Sequence, residues 1–217
     1  MKDGDFILID YVGKIVESGE IFDLTKEDVA KEKGIYMPDF KYGPFPVIIG
    51  GNFVIKGLEN GLREMKVGEK RNITLKSEEA FGERDAKFIK LIQTTEFKRQ
   101  GITPYPGMPV NINRLQGRVL SLSGGRVRVD FNHPLAGKTI EYEVEIKNQL
   151  TDVKEKTAAI LNFYLKSGEK DATITIDKDT VEINIKVDAP KLAKKTVADT
   201  IKKWITEIKK VRFVDEY

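Results

Sequence analysis

The stretch that decides the fold is residues 54–65, with the sequence Val54-Ile55-Lys56-Gly57-Leu58-Glu59-Asn60-Gly61-Leu62-Arg63-Glu64-Met65. Its apolar side chains recur at helical spacing, which predicts an amphipathic helix across one face of a sheet. Outward from it, alternating or short apolar runs at 6–17, 47–49 and 70–76 predict strands. Thr25 is predicted to cap a short helix over 26–33, which Gly34 ends.

The amino-acid composition limits the classes of protein to which the chain can belong. The chain has 217 residues, 40% of them hydrophobic and 33% charged, with a net charge of +3. These values predict packed domains and argue against a disordered chain. The chain has no Cys and one His, which excludes disulfides and predicts no metal site. Because no signal peptide or bilayer-length apolar run is found, we expect a cytoplasmic protein with no membrane partner.

The charge pattern marks an insertion. Residues 84–130 contain nine Lys or Arg and three Asp or Glu, a net charge of +6, whereas both flanks are acidic. Strand-like runs at 87–92, 110–112, 117–122 and 126–131, separated by Gly and Pro turns, predict a small all-β domain there. The alternation over 138–147 predicts a strand that completes the first segment. Residues 1–83 and 131–153 are therefore expected to form one interrupted domain.

Residues 154–217 are predicted to form a further domain with the order helix–strand–strand–helix–strand. A first helix carries Phe163 among its apolar residues, strands are predicted at 173–176 and 181–187, and a second helix at 192–210. A closing strand is predicted at 211–214, where an exposed edge would favour association. We expect a homodimer through 154–217; a monomeric domain packed on its own chain is the alternative.

Short motifs occur in a fixed order through the interrupted domain. They are Asp10-Tyr11-Val12-Gly13, Gly19-Glu20-Ile21-Phe22-Asp23, Ile49-Gly50, Val54-Ile55-Lys56-Gly57-Leu58-Glu59, Val67-Gly68-Glu69, Ala80-Phe81-Gly82 and Asn132-His133-Pro134-Leu135-Ala136-Gly137-Lys138. Each is unspecific alone, but the ordered set resembles the FKBP-type prolyl isomerases. The return at 132–138 resembles SlyD-like members, and the last segment resembles the extra domain of long-type archaeal members.

The resemblance implies an α+β fold in which an antiparallel FKBP-like sheet wraps on a helix, with the inserted all-β domain and a C-terminal αββαβ domain. It implies a peptidyl-prolyl cis-trans isomerase that assists protein folding and needs no metal and no cofactor. Carried over by position, an aromatic pocket for a proline ring is lined by Tyr11, Phe22, Asp23, Phe45, Val54, Ile55, Leu58, Phe81 and Tyr142. In the family, the backbone N–H at the position of Ile55 holds a substrate carbonyl.

Two positions depart from the family pattern. Leu58 stands where Trp is frequent, as in SlyD-like members, and Phe81 lacks the hydroxyl of the usual Tyr. A lost hydrogen bond removes about 0.5–1.5 kcal/mol. We therefore expect tight macrolide binding to be affected more than catalysis.

The insert of SlyD-like proteins is a chaperone domain. This implies that the partners are unfolded or nascent polypeptides containing X–Pro bonds. Residues that could supply apolar surface are Ile89, Leu91, Phe97, Ile102, Tyr105, Met108 and Val110, about half of which must instead build the core of the insert.

The sequence alone leaves two other functions open. A vestigial pocket would make the chain a holdase chaperone with little isomerase activity. The +6 stretch could instead bind nucleic acid or the ribosome in a salt-dependent way, but it has no RNA-binding motif, so this interpretation is not favoured. We expect His133 to be structural, and catalysis not to need residues 154–217.

Overall fold

The computed structural model describes residues 1–166, 172–186 and 189–214. The chain divides into two compact units, residues 1–74 with 141–217, and residues 75–140. The second unit is wider on both sides than the basic stretch 84–130, and the C-terminal residues group with the first unit. Within the described ranges, no helix is long and apolar enough to cross a membrane.

The sheet of the first unit is organised around strand β1 (Phe6–Ile15). β1 pairs antiparallel with β2 (Ile21–Leu24) and with β3 (Phe45–Ile48); Gly13 lies opposite Asp23, and Ile9 lies opposite Phe45. The main strand order is β2, β1, β9 (Ile140–Leu150) and β4 (Lys70–Leu75). β1 therefore brings together residues from four separate parts of the chain.

Helix α1 (Glu27–Glu32) lies between β2 and β3 in the chain, and Gly34 follows it with a φ of +68°. The predicted capping role of Thr25 is wrong. Its hydroxyl accepts the Tyr11 N–H at 2.9 Å and donates to Asp10 Oδ1 at 3.1 Å. Thr25 directly follows β2 and still lies beside β1, so its side chain stabilises that pairing.

Helix α2 (Lys56–Arg63) confirms the helix predicted from residues 54–65, although its first residues are extended. Leu58 and Leu62 are buried. A Cβ on Gly61 would lie 2.5 Å from Ile73 Cδ1, so the glycine allows α2 to approach β4 closely. Ile55, the residue before the helix, has extended backbone angles (φ −62°, ψ 148°).

The C-terminal part of the first unit has the predicted order of elements. These are α4 (Val153–Leu165), β10 (Ala172–Asp177), β11 (Thr180–Ile185), α5 (Lys191–Trp204) and β12 (Lys210–Val214). Asp152 caps α4 because its Oδ1 accepts the N–H groups of Lys154 and Glu155. The three strands form a sheet in which β12 runs parallel to β11 at one edge.

Helix α5 is shorter than the predicted span 192–210. It ends at Trp204, and Ile205 and Ile208 are buried in the turn that follows. Their spacing continues the helical pattern, but the chain must turn to place β12 beside β11. In that turn the N–H groups of Lys209 and Lys210 bond to the Asp179 carbonyl. The predicted strand 181–187 ends at Val187, which lies outside the described residues.

The second unit is a four-stranded antiparallel sheet with one α-helix and two 3₁₀ helices, Ser77–Glu79 and Ala86–Phe88. Its elements are β5 (Ile89–Gln93), α3 (Thr94–Arg99), β6 (Pro109–Ile112), β7 (Leu115–Ser123) and β8 (Arg126–Asp130), and the strand order is β5-β8-β7-β6. The core contains Phe97, Val119, Val127 and Val129. The all-β prediction is wrong at α3, because six residues are too few to show a helical period in the sequence.

Hydrogen bonds close the two ends of the second unit on each other. Asn132 Oδ1 accepts the Asp85 N–H at 2.9 Å, and the Gly137 N–H bonds to the Gly82 carbonyl at 2.9 Å. Arg84 forms an ion pair with Asp130. Burial alone would raise the pKa of Asp130, but hydrogen bonds from Asn132 and from Arg84 lower it. These contacts explain why the unit extends beyond the basic stretch.

Candidate active site

Four aromatic rings from four strands meet in the first unit. Tyr11 of β1 lies 6.2 Å from Phe45 of β3 and 5.7 Å from Tyr142 of β9, measured between ring centroids. Tyr142 lies 5.6 Å from Phe22 of β2. The planes meet at 74° to 85°, an edge-to-face arrangement. The sheet therefore brings four of the predicted pocket residues together; we call them the ring cluster.

Gly13 leaves the space that two of these rings occupy. A Cβ at this position would lie 2.7 Å from Phe22 Cζ and 3.0 Å from Tyr142 Cε1. Real Cβ atoms do not approach aromatic carbons this closely, so any larger residue would displace a ring. In the sequence Gly13 is only one member of a motif; its steric role follows from the contacts of β1.

The polar groups of the cluster bond to each other. The Tyr11 hydroxyl donates to Asp23 Oδ2 at 2.8 Å. Burial, then the negative charge of Asp23, raises the pKa of Tyr11 well above the usual value of 10.0, and the same two causes raise the pKa of Tyr142. Burial also raises the pKa of Asp23, although hydrogen bonds from Tyr11 and from the Leu24 N–H oppose this.

The predicted residues Val54 and Ile55 are half-buried, and Leu58 is buried in α2. They follow Phe53, a buried residue outside the predicted pocket set. In the part of the chain that the structure describes, the Ile55 N–H makes no hydrogen bond. Ile55 lies at the N-terminal end of α2, and the role of its N–H as a donor to a substrate carbonyl stays a prediction.

Helix α4 adds two aromatic residues that sequence reasoning missed as site residues. The Phe163 ring lies 5.7 Å from Phe45 and 4.1 Å from Phe53, and the Tyr164 ring lies 6.2 Å from Phe53. Their positions in the sequence indicated only the apolar stripe of a helix. No local pattern could assign them to residues more than a hundred positions earlier.

Phe81, the remaining predicted pocket residue, belongs to the second unit. Its ring stacks on His133 with 4.5 Å between centroids and 2° between planes. The Leu135 N–H donates to His133 Nδ1 at 3.2 Å. His133 thus supports the turn around it, and the role of Phe81 in the pocket stays a prediction.

The seven predicted client-binding residues of the insert differ in exposure. Phe97 is buried in the core, as expected of about half of these residues, and its role in client binding stays a prediction. Ile102, Met108 and Val110 pack against the same core. Ile89 is half-buried, and Leu91 and Tyr105 are exposed, Leu91 by 64%. A short helix fills the core with Phe97, and this could not be foreseen from an all-strand prediction.

The second unit contains a cavity of about 450 Å³. Its apolar lining includes Ile92, Phe97, Ile112 and Phe131, and two exposed residues also border it, Phe88 (53%) and Leu115 (59%). Polar groups around it come from Lys90, Glu96, Gln100, Asn111 and Asn113. Lys90 and Ile92 line the cavity, so the alternation of β5 places Leu91 on the opposite face. No local sequence pattern marks Phe88 or Leu115 as site residues.

Known proteins resemble this chain over most of its length. Residues 1–98 match the family model for FKBP-type peptidyl-prolyl cis-trans isomerases, and residues 90–135 match the model for the IF domain of FKBP26. The short-type peptidyl-prolyl cis-trans isomerase of Methanocaldococcus jannaschii is 31% identical over 148 residues, covering 68% of this chain and 93% of its own.

FKBP-type isomerases named SlyD are also similar. That of Aeromonas hydrophila is 32% identical over 146 residues (65% of this chain and 59% of its own), and that of Treponema pallidum is 24% identical over 174 residues (76% and 84%). The chain belongs to the FKBP-type peptidyl-prolyl cis-trans isomerase family. It is an enzyme that interconverts the cis and trans forms of X–Pro bonds, which confirms the expectation drawn from the ordered motifs.

The raised pKa values of Tyr11 and Tyr142 predict an alkaline titration with two late groups. Folding keeps both hydroxyls protonated, so their contribution to the free energy of unfolding is present below pH 10 and is lost as the pH rises further. Tyrosinate absorbance of the native protein should show two of the seven tyrosines ionising last. Tyr11→Phe and Tyr142→Phe should each remove one late group. Ordinary titration of all seven in the native state would contradict the geometry.

Proposed function

We propose that this isomerase assists protein folding, with the proline ring bound at the ring cluster and an unfolded segment bound at the cavity of the second unit. The observation that carries the proposal is the ring cluster, in which the Tyr11 hydroxyl is already bonded to Asp23. The half-buried rings of Phe22 and Phe45 therefore offer apolar surface beside a Tyr11 hydroxyl that is already paired.

Such a site can lower the barrier to rotation without a nucleophile. Rotation about X–Pro has a barrier of about 20 kcal/mol because the planar amide is stabilised by resonance. Twisting removes charge separation, so apolar walls disfavour the planar amide more than the twisted one. The half-buried Ile55 N–H would hold the substrate carbonyl and fix the peptide while the bond rotates.

Truncating the cluster should reduce isomerisation of a short X–Pro peptide. We expect Tyr11→Ala and Tyr142→Ala each to lower kcat/KM by at least about tenfold, which is about 1.4 kcal/mol. We expect the same of Phe81→Ala if that residue lines the pocket. Tyr105→Ala, which removes an exposed ring of the insert, is the matched control and should keep wild-type rates. Protease-coupled peptide isomerisation measures this.

The outcomes separate the candidate functions. Wild-type rates in folded Tyr11→Ala and Tyr142→Ala would mean that proline binds elsewhere. A wild-type protein without peptide isomerase activity that still suppresses aggregation would favour the holdase alternative.

The cavity supports the second half of the proposal. It has an apolar lining, and Phe88 and Leu115 are exposed beside it, an arrangement suited to a side chain of an unfolded polypeptide. Polar groups such as Asn111 and Gln100 could pair with the backbone of the bound segment. The matched SlyD relatives carry the FKBP-type isomerase name; extension to client binding is our proposal.

Replacing the exposed residues beside the cavity should separate two activities. Phe88→Ser with Leu115→Ser should lower catalysis of a proline-limited protein refolding reaction by at least about fivefold, an estimate that follows from burying two apolar side chains. Short-peptide isomerisation should stay within about twofold because the ring cluster is intact. Leu91→Ser is the matched control on the opposite face of β5. An effect of Leu91→Ser alone would place the client on that face instead.

We also propose that residues 154–217 pair two copies of the chain. β12 lies at the edge of its sheet, and Leu192 at the start of α5 is 76% exposed. An exposed strand edge and an exposed apolar residue on one segment favour association, and two-fold pairing is the commonest outcome.

Light scattering of the full chain at micromolar concentration should give twice the monomer mass of 24.6 kDa. Leu192→Glu with Val214→Glu should halve it, because charges would be buried at the interface. Leu115→Glu introduces the same charge on an exposed residue of the insert and should leave the dimer intact. A monomeric wild type, or a dimeric double variant, would overturn the assignment.

A further inference from the structure

We propose that Phe163 of helix α4 is a positioning residue of the isomerase site, which makes the C-terminal segment necessary for full catalysis. The proposal rests on the proposed location of the proline pocket at the ring cluster. It reverses the expectation from the sequence that residues 154–217 can be dispensed with.

The Phe163 ring connects two parts of the site that the chain does not join directly. It contacts Phe45 of the ring cluster at 5.7 Å and 68°, and it contacts Phe53 at 4.1 Å and 39°. Phe45 in turn contacts Tyr11 at 6.2 Å. Phe53 stands two residues before Ile55, whose N–H is proposed to hold the substrate carbonyl. One ring of α4 thus touches both the apolar wall and the segment that carries the donor.

The segment before α2 needs such support. Residues 50–54 lie outside helices and strands, and both Gly50 and Asn52 have positive φ angles (81° and 57°). A Cβ on Gly51 would lie 2.9 Å from the Phe53 ring. An irregular segment is fixed less by backbone hydrogen bonds than by its side chains. Packing of Phe53 against Phe163 is therefore expected to set where the Ile55 N–H points.

Helix α4 is anchored well enough to act as the support. Its N-terminus is capped by Asp152, and Ile160 and Leu161 are fully buried. At its other end the Lys166 carbonyl accepts a hydrogen bond from Lys41 Nζ at 2.8 Å. Lys41 lies four residues before Phe45. The helix is therefore tied to the chain on the approach to β3, as well as to the rings themselves.

The test compares loss of the ring with loss of buried volume. Phe163→Leu keeps an apolar side chain and should lower kcat/KM for a short X–Pro peptide by about tenfold, because the wall and the donor segment shift together. Phe163→Tyr retains an aromatic ring, so its rate should stay within about twofold of the wild-type rate. Ile160→Val is the matched control, a buried change in the same helix. It should leave the rate within about twofold at a temperature where all variants are folded.

A double-mutant cycle shows whether Phe163 acts through Phe45. In a Phe45→Ala background, Phe163→Leu should cost clearly less than in the wild type, whereas Ile160→Val should have the same small effect in both. If Phe163→Leu does not fold, Phe163→Met takes its place in every comparison, with the same expectations.

The results test the proposed pocket at the ring cluster and the positioning role of Phe163 separately. If Tyr11→Ala has wild-type activity, both the proposed pocket at the ring cluster and this inference are wrong. If Tyr11→Ala isomerises the peptide slowly but Phe163→Leu does so at the wild-type rate, the role of Phe163 is wrong and the proposed pocket stands. A slow Phe163→Leu that Phe163→Tyr does not restore, or an equal loss in Ile160→Val, means that α4 matters only for stability and also overturns it.

Discussion

The hydrogen bond from the Tyr11 hydroxyl to Asp23 is the interaction on which the site depends. A buried hydroxyl without a partner would cost about 1–3 kcal/mol, and a free carboxylate beside aromatic rings would cost more. Pairing the two satisfies both and fixes the Tyr11 ring at the middle of the cluster. Because Tyr11 lies on the strand that pairs with both β2 and β3, the same bond links the geometry of the site to the register of the sheet.

Small residues decide how closely these elements approach. Gly13 makes room for Phe22 and Tyr142, and Gly61 makes room for Ile73 under α2. Aromatic pairs contribute about 0.5–1.5 kcal/mol each beyond their buried area, but only in the correct geometry. Gly13 is therefore as necessary to the ring cluster as the rings themselves, and Gly61 to the packing of α2 on β4.

Local sequence patterns predicted the secondary-structure elements that local interactions determine. The helix at 54–65, the strands of the first unit and the αββαβ order of the last segment follow from periodicity and turn residues. The family resemblance, carried by the ordered motifs, implied Tyr11, Phe22, Phe45 and Tyr142 as members of one pocket. Contacts between distant residues could not be predicted this way: α5 stops at Trp204 because β12 must reach β11, and Phe163 meets Phe45 across more than a hundred residues.

Residues 75–140 interrupt the first unit, and chain connectivity also explains why such a long insertion is tolerated. The entropy cost of a long insertion depends on how far apart its ends must be held, and here the ends are bonded to each other within the unit. The bonds between Asp85 and Asn132 and between Gly82 and Gly137 hold the two ends of this unit together. With its own core of Phe97, Val119, Val127 and Val129, the second unit can change its exposed surface without altering the register of β1. The ring cluster and the core of the second unit are held by different contacts, each within its own unit.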